Sequence, residues 1–398
     1  MHRVGRNRMT TELYQIIESY NSVIIFGAST LGTFLHNTLK HYCDEVAKPL
    51  RVADNSLAKQ GGKMGVITPG EASNLLPDAL WIIASSHCYN VMHQNLISIG
   101  VKEENILHDL PDEITEGMQQ ALENERKRVV LKRLTPCKSI SFDVDIAFHC
   151  NLNCAGCFAF STLVDKPLFY DFETFDSDMA RVSFLMRDSI DQIKLMGGEP
   201  LLNPEIDSYI KSTRKHFPNT QICIFTNGTL IPKMPASFWN TCNENKISFI
   251  VTKYPIDFDY DVLPAIFANY GIEVCGFIHK AESHNIALDP DGKFDPYESF
   301  TNCYFANFCI RLRNGKFATC ATILNIDFFN QAFNTNMYAC PDDYIDIYEA
   351  QSGQEILDFL CKPVPFCRFC DIDSKNADIP WHISKREITE WVSPRWKG

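Results

Sequence analysis

No stretch of this 398-residue sequence is apolar enough to span a bilayer: the longest, 23–28 (VIIFGA) and 79–84 (ALWIIA), fall far below the ~18 residues required. The opening MHRVGRNRMT is basic but leads into TELYQIIESY, which lacks the apolar core of a signal peptide. A basic surplus is missing as well. With 37 Lys and Arg against 49 Asp and Glu the net charge is −12, which opposes nucleic acid as the main partner, since phosphate binding draws on basic surface. No internal repeat or low-complexity tract stands out, and the eleven histidines occur singly without a His-Glu-x-x-His, so hydrolase chemistry has no support. These absences leave a globular cytoplasmic protein of two to three domains, at about 150 residues each, with neither a membrane nor a nucleic-acid partner.

Cysteine, by contrast, is abundant. Sixteen cysteines in a chain of this length do not read as a disulfide scaffold, which belongs to short secreted domains, and they point to metal or redox chemistry.

Three unlike segments and a linker follow one another. Residues 1–110 have α/β rhythm: a strand over Ser22 to Phe26, a Gly27-x4-Gly32 turn, a helix over Thr33 to Tyr42, a strand ending at Asp54 and another over Ala79 to Ser85. This predicts a small Rossmann-like parallel sheet. Residues 111–137 are highly charged and read as a helical linker. From 138 to 299, strands at 141–147, 192–196, 221–226, 247–252 and 273–279 alternate with helical stretches such as Pro204 to Phe217, the pattern of a partial βα barrel whose site lies at the C-terminal strand ends. The segment 300–398 holds seven of the cysteines, at 303, 309, 320, 340, 361, 367 and 370, and reads as a cluster-bearing extension. Cys223 and Cys275 sit in apolar strands and are expected in the core.

The sharpest motif is Cys150-x3-Cys154-x2-Cys157-Phe158, directly after an apolar strand. Chance supplies such a triplet about 0.03 times in this length. Three thiolates on one loop hold three irons of a 4Fe-4S cube and leave the fourth open. A zinc site is the alternative, with His149 as the fourth ligand. Gly197-Gly198-Glu199-Pro200 ends the next strand, where glycines admit a close backbone approach and a carboxylate can pair an ammonium group; taken alone, it is a turn. Thr226-Asn227-Gly228 ends the strand after that, and Asn-Gly by itself is a tight-turn signal. What lifts both is that they end successive strands and so converge on the mouth that holds the cysteine loop. Farther on, Cys303-x11-Gly315-x4-Cys320 and Cys367-x2-Cys370 supply a closed four-cysteine set, for zinc or a second 4Fe-4S cluster. In the first segment, Asp54 follows Gly32 by 22 residues, near the spacing of a ribose-binding acid, so Gly27, Gly32 and Asp54 form a candidate nucleotide site; a packing turn plus a surface acid reads equally well.

In this order the motifs resemble the radical S-adenosylmethionine (radical SAM) superfamily. The resemblance implies that Cys150, Cys154 and Cys157 hold a 4Fe-4S cluster whose open iron binds SAM, that Gly197, Gly198 and Glu199 hold the methionine amine, and that Phe158, Thr226 and Asn227 line the SAM site. Lys253 and Tyr254 are further possibilities. It also implies reductive cleavage of SAM to a 5'-deoxyadenosyl radical that abstracts hydrogen from substrate, with an electron donor such as flavodoxin or ferredoxin. The C-terminal spacing resembles the SPASM/twitch extension. Because no cysteine follows Cys370, the twitch version with one auxiliary cluster on Cys303, Cys320, Cys367 and Cys370 fits better, while Cys309, Cys340 and Cys361 remain unassigned. Residues 1–110 also look like the Rossmann-type half of bacterial sugar acyltransferases, through Asp54-Asn-Ser-x3-Gln-Gly-Gly and Leu96-Ile-Ser-Ile-Gly-Val, which suggests a sugar or nucleotide-sugar substrate. A peptide substrate, as in SPASM-type relatives, and a non-enzymatic zinc or iron-sulfur regulator are the alternatives. The expected architecture is thus α/β: a Rossmann-like domain, a partial (β/α)6 TIM-like barrel and a twitch-like extension.

Overall fold

A computed structural model describes residues 11–56, 60–61, 64–85, 89–107, 139–279, 282–283, 287–301, 303, 305–306, 309–372, 374 and 379–397. The expected linker 111–137 lies outside them. Contacts divide the chain into two compact units, Met1–Cys137 and Lys138–Gly398. Among the described residues no helix is long and apolar enough to cross a membrane.

In the first unit four strands, β1 (Val23–Phe26), β2 (Leu50–Ala53), β3 (Leu80–Ile83) and β4 (Ile106–Leu107), pair in parallel in the order β2-β1-β3-β4. The order turns back between β1 and β3, as in doubly wound sheets. The helix after β1 runs Thr30–Glu45, starting before the expected Thr33 because Ser29 caps it, its side chain accepting from Gly32 N–H. Gly27 has φ +119°, and a Cβ on Gly32 would lie 1.8 Å from the Gly27 carbonyl oxygen, so the turn and the helix pack through both glycines.

In the second unit β5 (Ile140–Ala147), β6 (Ile190–Gly197), β7 (Gln221–Thr226), β8 (Ile247–Lys253) and β9 (Val274–His279) follow in chain order, all parallel. The helices Phe172–Met186, Ile206–His216, Ala236–Glu244 and Leu263–Asn269 connect them. The expected sixth barrel strand takes a different form among the described residues. Beyond β9, β10 (Glu282–Ser283) pairs with the C-terminal strand β14 (Ile379–Pro380). The additional parallel strand comes from the cysteine-rich segment and joins at the other end: β11 (Arg311–Arg313) lies beside β5 and is extended antiparallel by β12 (Lys316–Ala318) and β13 (Ile345–Asp346).

Period-two alternation gives β5 two characters. Phe142 packs edge-on against Phe217 and Phe317, with centroids 6.5 and 5.2 Å away. The opposite face carries Asp143 and Asp145, and pairing register sets Asp143 between Arg311 and Lys194. Arg311 is fully buried and donates from Nη1 to Asp145 Oδ1 at 2.8 Å; Lys194 Nζ lies 3.2 Å from Asp143 Oδ1, and Asn325 donates to Asp145 Oδ2 at 3.1 Å. Cys223 lies in the core, but Cys275 is exposed, contrary to expectation, because β9 is the last strand of its sheet.

Candidate functional site

The cysteine loop leaves the C-terminal end of β5, and β6 delivers Gly197-Gly198-Glu199 directly against it. Gly198 N–H donates to Ala147 O at 2.8 Å and Glu199 N–H to His149 O at 3.1 Å. A Cβ on Gly197 would meet Ala147 O at 2.0 Å, and one on Gly198 would meet His149 O at 2.2 Å. The two glycines therefore let strand end and loop touch backbone to backbone, a closer contact than the turn alone requires.

Glu199 is 0% exposed. Its Oε1 accepts from Thr226 Oγ1 at 2.6 Å and from Leu201 N–H at 3.1 Å, and its Oε2 accepts from Asn227 N–H at 2.8 Å. Burial pushes the carboxyl up to about 7 against the pull of these three bonds, so it sits near the point where it ionises at neutral pH. Thr226 and Asn227, expected to line the SAM site, hold neighbouring protein groups there. The Thr226 hydroxyl donates to Glu199, while Asn227 Nδ2 donates to Asn151 Oδ1 at 2.8 Å and lies 4.0 Å from Cys150 Sγ. Leu152 N–H donates to the same sulfur at 3.4 Å.

The Cys150 thiol is pushed well up, first by burial and then by Glu199, with Cys157 and Cys154 adding to it. Tyr254, just past β8, has its phenol raised by burial and by the same three cysteines and Glu199. Three thiols, one buried carboxyl and one phenol thus lie within electrostatic reach of one another at the strand ends. His149, the alternative zinc ligand, has Nδ1 engaged by Leu168 N–H at 3.2 Å. Lys253 Nζ rests 4.7 Å from the Phe277 ring and 3.6 Å from Asp261 Oδ1.

Residues 144–246, from β5 to the end of the helix after β7, match the family model of the radical SAM superfamily. This part of the chain is a radical SAM domain. A stretch of 94 residues is 27% identical to the GTP 3',8-cyclase of Sulfurovum sp. (strain NBC37-1), covering 23% of this chain and 27% of that relative, so the match spans about a quarter of each. Among solved structures, similar ones are BtrN in complex with AdoMet and 2-DOIA (TM-score 0.37, 18% identity, 58% of this chain and 93% of that one) and anSMEcpe with bound AdoMet (TM-score 0.35, 16% identity, 59% and 90%). Streptococcus suis SuiB bound to S-adenosylmethionine is another (TM-score 0.28, 13% identity, 46% and 42%).

Beside the radical SAM domain the structure gathers the expected C-terminal quartet. Cys303, Cys320, Cys367 and Cys370 line one pocket, walled by Phe158, Phe305 and Phe366. Burial pushes Cys320 up to about 11, with Cys303 adding to it, and raises Cys367, with Cys320 and Cys303 adding. Among the described residues no three His, Cys, Asp or Glu side chains converge on a single ion position. Phe158, expected at the SAM site, lines this second pocket, stacked on Phe305 with centroids 5.2 Å apart. Of the unassigned cysteines, Cys309 is pushed up to about 12 by burial and by Asp143, Cys340 pairs with Asp343, and Cys361 is buried at a helix end.

In the first unit Asp54 accepts from Ala28 N–H on Oδ2 at 2.6 Å and from Ser56 N–H on Oδ1 at 2.9 Å. Its carboxylate thus braces the glycine turn of the candidate nucleotide site. The sequence reading missed the C-terminal tail that clasps the cysteine loop: Trp391 donates from Nε1 to Cys157 O at 2.9 Å, Ser384 N–H to Asn153 O at 2.7 Å, and Ala155 N–H to His382 O at 3.1 Å. No local pattern announces such a role for Trp391, which stands between Trp381 and Trp396 in a polar stretch.

Proposed function

We propose that this protein is a radical SAM enzyme that cleaves S-adenosylmethionine reductively and abstracts hydrogen from a substrate that remains to be identified. The observation that carries the reading is the meeting of the three-cysteine loop with a fully buried glutamate at the ends of adjacent parallel strands. The donor set suits an iron-sulfur cube: three partly accessible thiols on one loop and an N–H bond to one sulfur. A 4Fe-4S cluster on Cys150, Cys154 and Cys157 would supply the electron that breaks the SAM sulfonium bond and yields the 5'-deoxyadenosyl radical. Glu199 holds the methionine ammonium by charge, and Thr226, Leu201 and Asn227 fix that carboxylate in place. Asn227 and Asn151 tie the strand end to the loop, and the C-terminal tail shields the loop from water and oxygen. We assign the second pocket to an auxiliary 4Fe-4S cluster on Cys303, Cys320, Cys367 and Cys370.

Anaerobically reconstituted and reduced protein is expected to release 5'-deoxyadenosine from SAM, and Cys154→Ala to abolish the release. A protein that takes up only zinc under these conditions and leaves SAM intact overturns the reading.

A further inference from the structure

The two cysteine sites are joined by a short, continuous path through the C-terminal tail. Leu288 bridges Cys370 on one side and Val392 on the other. Its N–H donates to Trp391 O at 2.8 Å, and its carbonyl accepts from Ser393 N–H at 2.7 Å. The residue after Cys370 adds a second tie. Asp371 is 0% exposed, and both its oxygens accept from Arg395, Nε at 2.7 Å and Nη2 in close contact, while Ser393 Oγ also donates to it. Trp391 stands between these ties and the loop, 1% exposed, packed on Phe333 with centroids 5.6 Å apart, and donating to Cys157 O. Two further bonds reach the loop from the helix Ala321–Phe333, which starts directly after Cys320: Thr322 Oγ1 donates to Phe158 O at 3.4 Å and Asn325 Nδ2 to Ala159 O at 3.5 Å. The backbone on the C-terminal side of Cys157 is therefore held by elements that begin beside the cysteines of the second pocket.

We propose that filling the C-terminal cysteine pocket sets the conformation of the SAM-site loop, with Trp391 as the positioning residue that transmits it. Metal binding at a site assembled from distant chain segments is coupled to folding of those segments. Here the segments brought together by Cys320 and Cys370 are the ones that carry Thr322, Asn325 and Trp391. Coupling of this kind is reciprocal: a filled loop must stabilise the filled pocket by the same factor.

The inference rests on the radical SAM reading, and the test separates the two. Wild type, Trp391→Phe, Cys367→Ala/Cys370→Ala and the triple combination are reconstituted anaerobically. Chelator-driven release of loop iron is then followed, together with SAM affinity. Trp391→Phe removes the indole donor and keeps an aromatic ring. Loop iron is expected to leave roughly tenfold faster, and SAM to bind roughly tenfold more weakly, in the double-cysteine variant. Trp391→Phe is expected to move both quantities in the same direction with the pocket iron retained, and to add little on top of the cysteine changes, as coupled positions do. Wild-type behaviour in Trp391→Phe, or strictly additive effects in the combination, overturns the coupling. A wild type that never loads iron on the loop overturns the functional reading itself.

Discussion

At the scale of single residues, Glu199 decides the most. A carboxyl near 7 in the ligand-free protein has to ionise before it can hold an ammonium, so SAM binding should release a proton. Affinity is expected to rise with pH up to about 7 and level off above it, with a loss approaching tenfold per pH unit on the acid side. Glu199→Gln should flatten that profile and weaken binding roughly ten- to a hundredfold while leaving iron in place. SAM titrations at several pH values check this, and a flat wild-type profile removes Glu199 from the role. The same burial acts on stability with the opposite sign. The unfolded chain ionises first, near 4.5, so this group costs stability as pH climbs from there to about 7. Glu199 was legible because its motif ends a strand. The roles of Thr226 and Asn227 were not, since their partners, Glu199 and Asn151, sit on other strand ends and become neighbours only when the sheet forms.

At the scale of elements, the five strands β5 to β9 could be read from their apolar runs, whereas β11 and β12, three residues each, were too short for periodicity to reveal. One sign of them was present. Asn314-Gly315 is a two-residue hairpin signal, and both residues have positive φ, 49° and 73°, as such a turn demands. What β11 brings to the sheet is Arg311, the buried cation between Asp143 and Asp145. Arg311→Met should leave those two aspartates with one cation, Lys194, and the Asn325 amide, and cost about 3–5 kcal/mol, seen as a fall in the denaturant midpoint of the apoprotein. If the midpoint holds, the pairing contributes little and the hairpin is kept in place by its backbone bonds and by Phe317 alone.

At the scale of the whole molecule, the division at residues 137 and 138 separates a unit without proposed metal ligands from one with two cysteine sites. Ligands that bind only the folded state raise its transition. Calorimetry should therefore show one transition that climbs on iron-sulfur reconstitution and one that does not. Iron analysis should give about eight irons per chain, falling to about four in the Cys150/Cys154/Cys157→Ala variant. A variant retaining no iron would leave the C-terminal pocket without its cluster. The unit that stays behind in this experiment has a character of its own, set by Asp54. In a nucleotide-binding sheet the turn after the first strand offers bare amides to a phosphate. Here the Ala28 amide already faces a carboxylate, and an incoming phosphate would meet a like charge at close range. One side chain at the end of β2 thereby ties the turn after β1 to its own strand end, so the glycine turn is held by charge and hydrogen bonding as well as by backbone packing.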